Sequence, residues 1–342
     1  MNPALTILDT ADADLVCVDV GSAAGFHPRF REVKSRARLI GFEPDPDECA
    51  RLIQTAEPGQ RYINAALGRS GEQISFHLHR KRNTSSAYDT DLARLRYFDD
   101  GHRLDVDRVQ VIRTRSLDEV MQSEGLQPID YLKVDVEGHE LSVLEGYSGR
   151  LLMAEIEVTF HPFRVAVPLF DEVMRHMRQR GLFLLDLRRT YWSPAKRREI
   201  RNHPTKGMLM FGDALFALDP HLEANGRWLS TAADRAKFLA LLCLYGYPAE
   251  ALMCLDVLRA RQLIDDGELE RVQASIMRWA QSRKLARPRI ARLLLVLERW
   301  FSLPVAISEG LFLDDGAQTD GELGNWDMLE HLKSKPALLP RR

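Results

Sequence analysis

The chain has 342 residues, and its 47 Lys and Arg residues nearly balance its 49 Asp and Glu residues, which gives a formal net charge of −2. Hydrophobic residues make up 45% of the chain, enough for a buried core, so wholesale disorder is excluded. The chain lacks the excess of positive charge typical of nucleic-acid-binding proteins, and we predict no DNA partner. At roughly 100 to 200 residues per domain, its length predicts more than one domain.

The cysteines and the apolar segments predict a cytoplasmic protein. The four cysteines are Cys17, Cys49, Cys243 and Cys254. They show no C-x-x-C spacing and lie in apolar surroundings, which is typical of buried thiols in a reducing compartment. Residues 1–14 lack the basic and apolar segments of a secretory signal, and the longest apolar run, residues 238–245, is much shorter than the roughly 20 residues that span a bilayer.

Short β-rich apolar runs alternate with helical patterns through the first two thirds of the chain, which is the pattern of βαβ units. Strands are predicted at residues 15–20, 38–42, 62–67, 74–78, 109–113, 131–135, 154–159, 182–187 and 208–218. A helical stretch is expected between the first two strands, up to about residue 35. Residues 74–113 predict a hairpin inserted into the parallel sheet. The last two strands have no good helix between them, so we expect an antiparallel pair that closes one edge.

The pattern changes after about residue 218. Apolar residues recur there at spacings of three and four, which predicts helices over residues 231–247, 249–263, 267–283 and 289–300. Gly, Asp and Pro become frequent from residue 302 onward. We therefore predict an α/β domain over residues 1–220, a helical module over residues 221–302 and an irregular tail over residues 303–342.

A glycine turn follows the first strand, with the sequence Val18-Asp19-Val20-Gly21-Ser22-Ala23-Ala24-Gly25. Glycines let the backbone approach a ligand closely, and a turn at the carboxyl end of a strand lies where open α/β sheets bind ligands. The pattern lacks the second and third glycines of the dinucleotide fingerprint, which favours a cofactor without a pyrophosphate. Asp19 could accept the ammonium group of an amino-acid moiety, such as that of S-adenosylmethionine; the alternative is an ordinary tight turn.

The second strand ends in Gly41-Phe42-Glu43-Pro44-Asp45-Pro46, eighteen residues beyond Gly25. An acid at this position can accept both hydroxyls of a ribose. Because the two prolines prevent the strand from continuing, Glu43 is expected at the strand end. We predict that Glu43 binds the nucleoside part of the cofactor.

A second group of acids occurs in the segment D-Y-L-K-V-D-V-E-G-H-E at residues 130–140. Alternation along the strand puts Lys133, Asp135 and Glu137 on one face. One interpretation is a catalytic site beside the cofactor, where a carboxylate or the imidazole of His139 takes a proton from an attacking hydroxyl. The other is structural, with Lys133 and Asp135 pairing to each other.

The following strand carries two more acids, Glu155 and Glu157, on one face. They could share substrate hydroxyls with the Asp135 group or join it in binding Mg²⁺, for which oxygen ligands are suited. No dense ligand motif is present, so we predict no metal. His161 lies at the strand exit, where a structural and a catalytic role are equally compatible with the sequence.

These motifs together resemble the FkbM family of S-adenosylmethionine-dependent methyltransferases over roughly residues 15–218. The resemblance is carried by V-D-V-G at 18–21 with Gly25, G-F-E-P at 41–44, N-A-A-L at 64–67 with Gly71, S-L-D at 116–118 and, above all, the segment I-D-Y-L-K-V-D-V-E-G-H-E-L-S-V-L-E-G at 129–146. The turn has Ser22-Ala23 where the family often has Ala-Asn.

The resemblance implies a class I methyltransferase, a Rossmann-like α/β fold with a seven-stranded sheet, that methylates hydroxyl oxygens, often of sugars or secondary metabolites. It implies that S-adenosylmethionine is the cofactor. The cofactor-binding residues would be Asp19, Gly21, Ser22, Gly25, Glu43 and Asn64, with Asn64 near the adenine. Asp135, Glu137 and His139 would face the site of methyl transfer, and the resemblance does not decide which of them is the base.

Two basic segments do not belong to these motifs. Residues 188–201 contain six basic residues together with Tyr191 and Trp192, and residues 278–292 contain six more in the helical module. Each could be a solvated surface. Alternatively, the first could bind a phosphorylated or lipid-linked sugar, with aromatic faces stacking on a ring, or RNA, and the second could contact a membrane surface or an acidic protein.

The sequence therefore favours an O-methyltransferase that acts on a hydroxyl of a carbohydrate, either a small molecule or a glycan. A methyltransferase acting on RNA or an amine is the first alternative. The second is a non-catalytic scaffold that keeps the fold while its helical module binds a partner.

Overall fold

The computed structural model describes residues 2–98, 104–196, 207–282 and 317–319. The strands are β1 (Leu15–Val20), β2 (Ala37–Phe42), β3 (Gln60–Ile63), β4 (Gln73–His79), β5 (Val106–Arg113), β6 (Tyr131–Val134), β7 (Met153–Thr159), β8 (Leu182–Trp192), β9 (Met208–Leu218) and β10 (Ala317–Thr319). The helices are α1 (Pro3–Thr10), α2 (Pro46–Thr55), α3 (Leu92–Leu95), α4 (Leu117–Glu124), α5 (Glu140–Glu145), α6 (Phe170–Gln179), α7 (Ala232–Leu244), α8 (Pro248–Ala260) and α9 (Asp266–Ser282).

One sheet organises the molecule, with the strand order β10-β8-β9-β7-β6-β1-β2-β3. The strands β3, β2, β1, β6 and β7 are parallel, whereas β9 is antiparallel to both of its neighbours, β7 and β8. The predicted seven-stranded sheet and its closing antiparallel pair are therefore confirmed. The strand β10 is an eighth strand, pairing with residues 190–192 of β8.

The strand β10 differs from the sequence prediction, because it lies within the segment predicted as an irregular tail. Its three residues are too few to give an alternating pattern. The edge of β8 offers unpaired backbone N–H and C=O groups, and pairing with a short segment satisfies them. The rest of the predicted tail and the predicted helix over residues 289–300 lie outside the described residues.

The predicted hairpin insertion is confirmed as a pair of strands, β4 and β5, that form their own antiparallel sheet apart from the main one. The predicted helical stretch after the glycine turn differs from expectation. It is a 3-10 helix, Pro28–Arg36, in which Val33 has non-helical dihedral angles. Helix α1 was not predicted. It begins where the side chain of Asn2 accepts a hydrogen bond from the backbone of Ala4.

The two faces of the sheet are covered differently. One face packs on α4, α5 and α6 through the core residues of alternate strand positions, such as Val18, Val134 and Ile156. The other face packs on α1, α7, α8 and α9, and there Leu15 and Cys17 of β1 share one continuous hydrophobic core with Leu239 of α7. The described helices beyond residue 220 share a hydrophobic core with the sheet. The predicted domain boundary at residue 220 stays a prediction.

A buried ion-pair network also joins the helices to the sheet. Asp130, fully buried before β6, contacts Lys237 of α7 at 3.1 Å and Arg150 at 2.8 Å, and it accepts a hydrogen bond from the backbone of Val16 at 2.9 Å. Arg150 in turn contacts Asp234 of α7. No helix in the described ranges is long and apolar enough to cross a bilayer. The cytoplasmic location stays a prediction.

Candidate active site

The glycine turn lies at the carboxyl end of β1. Gly21 and Gly25 have φ angles of +86° and +73°, in the region that favours glycine. A Cβ atom on Gly21 would lie 1.9 Å from the carbonyl oxygen of Asp135, so no side chain fits there. Ser22 donates a hydrogen bond from its hydroxyl to the carbonyl of Phe42 at 3.3 Å, which holds the turn to β2. A contact of Ser22 with the cofactor stays a prediction.

Asp19 is the last but one residue of β1, and it is 5% exposed. Its Oδ1 has no hydrogen-bond partner among the described residues, and the Nζ of Lys133 lies 3.9 Å away. Burial raises the pKa of Asp19 to about 6, although the nearby Lys133 lowers it. A buried carboxylate oxygen without a partner is costly, so this position favours a ligand that brings a donor.

Glu43 follows β2 and is also buried, at 6% exposed. Its Oε1 accepts a hydrogen bond from the backbone N–H of Asp45 at 2.9 Å. Burial, with a smaller contribution from the neighbouring carboxylates, raises the pKa of Glu43 to about 7. Asn64, at the end of β3, donates from its side-chain amide to the carbonyls of Glu43 and Pro44, at 2.8 and 3.0 Å. In this arrangement Asn64 shapes the loop that carries Glu43; its predicted contact with adenine stays a prediction.

Lys133 and Asp135 pair at the end of β6, as the structural interpretation of the sequence expects. The Nζ of Lys133 donates to the Oδ2 of Asp135 at 2.9 Å. Burial alone would lower the pKa of Lys133, but the carboxylates of Asp135, Asp19 and Glu155 outweigh it and hold the pKa above its usual value. Lys133 is thus a permanent cation between the glycine turn and the acids of the next strands.

Three carboxylates converge beside this lysine. Oxygen atoms of Asp135, Glu137 and Glu157 all lie within 4.8 Å of one another, and we call these three residues the carboxylate cluster. Glu137 pairs with Arg164, which is 2% exposed, in a close contact between its Oε2 and the guanidinium. Asp135 and Glu137 are thus each paired with a cationic side chain. That the site contains no metal stays a prediction.

The turn that carries Glu137 is held in an uncommon conformation. Glu137 and Gly138 have φ angles of +56° and +109°. Glu140, at the start of α5, accepts hydrogen bonds from the backbone N–H groups of Val136 and Gly138, both at 3.0 Å. Burial raises the pKa of Glu140 to about 7, although these hydrogen bonds lower it. The conformation directs the Glu137 side chain to Arg164, and Glu140 stabilises it.

His139 does not join the carboxylate cluster. Its buried ring packs against Gly68, where a Cβ atom would come within 2.7 Å of its Nε2, and against Tyr88, at 6.2 Å between ring centroids. The carboxylate of Glu72 is 4.0 Å from the Nε2. Burial lowers the pKa of His139, so the ring is neutral at pH 7. A catalytic role for His139 stays a prediction.

The two acids of β7 have separate surroundings. Glu157 belongs to the carboxylate cluster, whereas Glu155 accepts hydrogen bonds from the hydroxyls of Tyr245 and Tyr131, at 2.6 and 3.3 Å. Tyr245 ends α7, so the helical region contributes to this polar face of the sheet. His161 packs against Phe98, at 6.1 Å between ring centroids.

The basic segment at residues 188–201 is only partly surface. Arg188 pairs with Asp213 of β9, and Trp192 is buried, at 7% exposed, in edge contacts with Phe98 and Phe211. Trp192 therefore cannot stack on a ligand, and this part of the sequence interpretation is wrong. The indole is buried by packing against aromatic side chains, although the residues next to it in the sequence are basic. Residues 197–201 and 283–292 lie outside the described ranges.

The residues at this edge of the sheet fit S-adenosylmethionine. The unpartnered oxygen of Asp19 would receive the ammonium group, and Gly25 leaves open space, since only the Tyr62 hydroxyl, at 3.6 Å, lies within 4 Å of a Cβ added there. Glu43 keeps lone pairs for ribose hydroxyls beyond its one bond to Asp45. When bound, the cofactor supplies an electrophilic methyl group on a positively charged sulfur.

The sheet order, the reversed strand β9 and the turn after β1 define a Rossmann-like methyltransferase of class I. Residues 19–183 match the family model for the methyltransferase FkbM domain. This part of the chain is therefore an FkbM methyltransferase domain, as the sequence motifs predict, and its cofactor is S-adenosylmethionine.

Two similar proteins are methyltransferases by name. The chain is 32% identical over 148 residues to the hexuronic acid methyltransferase AglP of Haloferax volcanii, an alignment that covers 42% of this chain and 55% of the relative. It is 29% identical over 141 residues to the 2-O-methyltransferase NoeI of Sinorhizobium fredii, with 39% of this chain and 57% of the relative covered. The matched part thus spans little more than half the length of these relatives.

Among solved structures, the precorrin-6y C5,15-methyltransferase of Geobacter metallireducens is similar to 63% of this chain, and 86% of that protein is covered. The sequence identity is 8% and the TM-score is 0.29, values that support no conclusion about function.

Sequence motifs located most of these residues but not their partners. Arg164 lies 27 positions from Glu137 and has no motif of its own, and Tyr245 reaches Glu155 from a helix 90 positions away. The one available signal for Glu157 was its alternation with Glu155, which did not show that the two side chains have different partners.

Proposed function

We propose that the chain transfers a methyl group from S-adenosylmethionine to a hydroxyl of a sugar, in a small molecule or a glycan. The observation that carries the proposal is the carboxylate cluster, because it lies directly beside the glycine turn: the Asp135 backbone fills the space in front of Gly21. Carboxylates accept hydrogen bonds from hydroxyl groups and can take their protons.

The charge of the site supports a hydroxyl acceptor over RNA. A crevice with several carboxylates repels phosphates, and Arg188 and Arg164, two cations close to it, are each paired with an acid. AglP and NoeI, whose names give a hexuronic acid and a 2-O position, support a sugar. The proposed cofactor residues are Asp19, Gly21, Ser22, Gly25, Glu43 and Asn64. The catalytic residues proposed from the sequence remain Asp135, Glu137 and His139.

The proposal is tested by incubating the full chain with methyl-labelled S-adenosylmethionine and three kinds of acceptor: methyl glycosides of hexoses and hexuronic acids, cell-envelope glycans, and total RNA. We expect label in an O-methyl sugar, identified by mass spectrometry and NMR. Label in RNA or on an amine contradicts the acceptor class. Failure to bind the cofactor at all, measured by calorimetry, favours a scaffold. Acceptors with and without a phosphate or lipid group would show whether such a group is recognised.

A further inference from the structure

The acids around the cluster differ in whether a cation neutralises them. Asp135 pairs with Lys133, Glu137 with Arg164, and Asp213, opposite Glu157 in the β7–β9 register, with Arg188. No hydrogen bond or ion pair reaches the carboxylate of Glu157 from any residue that the structure describes. Its side chain is half-buried, so the carboxylate is neither enclosed in the core nor fully exposed.

We propose that Glu157 is the residue that accepts the proton of the acceptor hydroxyl. This inference rests on the proposed function, and it assigns the base to a residue outside the three expected from the sequence. Asp135 and Glu137 have geometric roles instead: Lys133 contacts the first carboxylate and Arg164 the second, and His139 packs away from the cluster against Gly68.

The position of Glu157 relative to the cofactor residues follows from two contacts. The Asp135 carbonyl lies against Gly21, in the turn proposed to hold the methionine part of the cofactor. The Asp135 carboxylate and that of Glu157 belong to one cluster within 4.8 Å. A hydroxyl bound at the cluster would therefore be within reach of Glu157 and beside the residue that contacts the turn, as proton transfer and attack on the methyl group require.

The charges around Glu157 favour proton uptake. The charged groups of the neighbouring elements are Lys133, Asp135, Glu137, Glu140, Arg164, Arg188 and Asp213. Burial raises the pKa of Glu157, and the nearby carboxylates raise it further, against the opposing effect of Arg164. A sulfonium beside the cluster would lower this pKa, and the loss of that positive charge on methyl transfer would raise it again.

The O–H bond of the acceptor breaks and its proton goes to the Glu157 carboxylate, while the oxygen lone pair forms the bond to the methyl carbon. The electron pair of the sulfur–methyl bond stays on sulfur. The products are a methyl ether, S-adenosylhomocysteine and a protonated Glu157, which returns its proton to solvent.

The test needs no acceptor. S-adenosylmethionine and S-adenosylhomocysteine share the ammonium group and the ribose, but only the first carries the sulfonium charge. Calorimetric titration of each into the full chain at pH 7, in two buffers of different ionisation enthalpy and with EDTA present, gives the number of protons released. We expect S-adenosylmethionine to release roughly half a proton or more beyond S-adenosylhomocysteine, by the linkage of charge to protonation.

Glu157→Gln should bind S-adenosylhomocysteine as the unaltered chain does and lose the excess release, and Glu157→Asp should restore it. Glu155→Gln, the same change two positions away on the same strand, should keep it. Excess release that persists in Glu157→Gln, or none in the unaltered chain, overturns the assignment but leaves the methyltransferase proposal intact. Absence of binding of both ligands overturns the proposed function and the inference with it.

Discussion

Burial keeps two carboxylates of the proposed cofactor site from ionising readily in the free protein. The pKa of Asp19 is raised to about 6 and that of Glu43 to about 7, in both cases chiefly because these groups lose contact with water. A ligand that supplies an ammonium to the first and hydroxyls to the second would remove this penalty. Ligand affinity and the free energy of unfolding should therefore both depend on pH through these two residues.

For Asp19, the folded pKa lies above the unfolded value, so its stabilising contribution is complete below about pH 4 and is lost as the pH rises through about 6. We expect Asp19→Asn to raise the free energy of unfolding by about 1–3 kcal/mol at pH 8 and by little at pH 4. Urea unfolding at the two pH values measures this. Asp256→Asn, on the exposed side of α8, is the control and should have no pH-dependent effect; equal effects of both variants would contradict the prediction.

For Glu43, only the ionised carboxylate accepts hydrogen bonds with both oxygens, so affinity for S-adenosylhomocysteine should rise as the pH increases through about 7. Glu43→Ala should weaken binding by at least about 10- to 100-fold, since the loss of even one hydrogen bond to a charged group costs about 1.5–3 kcal/mol. It should also remove the pH dependence. Calorimetry at pH 6 and pH 8 checks both effects, with Glu57→Gln, a surface acid paired with Arg31, as the control. Unchanged affinity in Glu43→Ala would exclude ribose binding by this residue.

At the scale of elements, the site depends on two turns that touch each other. The turn after β1 and the turn after β6 meet where Gly21 contacts the Asp135 carbonyl, and the Asp135 N–H donates to the Val20 carbonyl at 3.0 Å. The two adjacent parallel strands bring these turns together because their carboxyl ends lie at the same edge of the sheet. The proposed cofactor residues and the carboxylate cluster are therefore in contact through the backbone, independent of any ligand.

Gly21→Ala tests this contact. A methyl group there would overlap the Asp135 carbonyl, and the φ of +86° is also unfavourable for alanine, so we expect a loss of about 4 kcal/mol in stability or failure to fold. Gly125→Ala is the matched control. Gly125 ends α4 with a φ of +62° but has nothing within 4 Å of an added Cβ, so it should lose only about 1–2 kcal/mol from backbone strain. Thermal unfolding compares the two, and similar losses would contradict the close approach.

At the scale of the whole molecule, the helices α7, α8 and α9 complete the core on one face of the sheet. Leu239 and Leu258 are fully buried in the same core as Leu15 and Cys17, and Asp130 connects this core to Lys237. The face of the sheet toward the strand ends is polar instead, and there Tyr245 of the helical region reaches Glu155. The helices thus bury the apolar part of this sheet face and lie beside its polar part, near the ends of the strands.

If the helices and the sheet form one cooperative unit, removing Asp130 should destabilise both. Asp130→Ala leaves Arg150 and Lys237 without their buried partner, which we expect to cost about 3–5 kcal/mol. Hydrogen exchange should then accelerate equally in β1 and α7. Faster exchange confined to α7 would instead support an independent helical module. Asp118→Ala, which removes a surface hydrogen bond to Ser148, is the control and should change neither region.

Several features were predictable from the sequence because they depend on local patterns. Alternation and turn residues predicted the strands of the main sheet, and glycine at residues 21 and 25 with acids at residues 19 and 43 predicted a nucleoside cofactor at their carboxyl ends. Local patterns misled where packing decides. Basic neighbours suggested an exposed Trp192, and three residues near the chain end were too few to predict β10.

The class of fold, the family and the methyl donor were predictable from the residues alone, since short contiguous motifs carry them. The division of the acids between structure and chemistry required the three-dimensional contacts. A carboxylate is free to act when no cation or hydroxyl reaches it, and its partners come from distant segments: Arg164 for Glu137, Tyr245 for Glu155 and none among the described residues for Glu157. Such pairing depends on three-dimensional contact and leaves no mark in the spacing of residues along the chain.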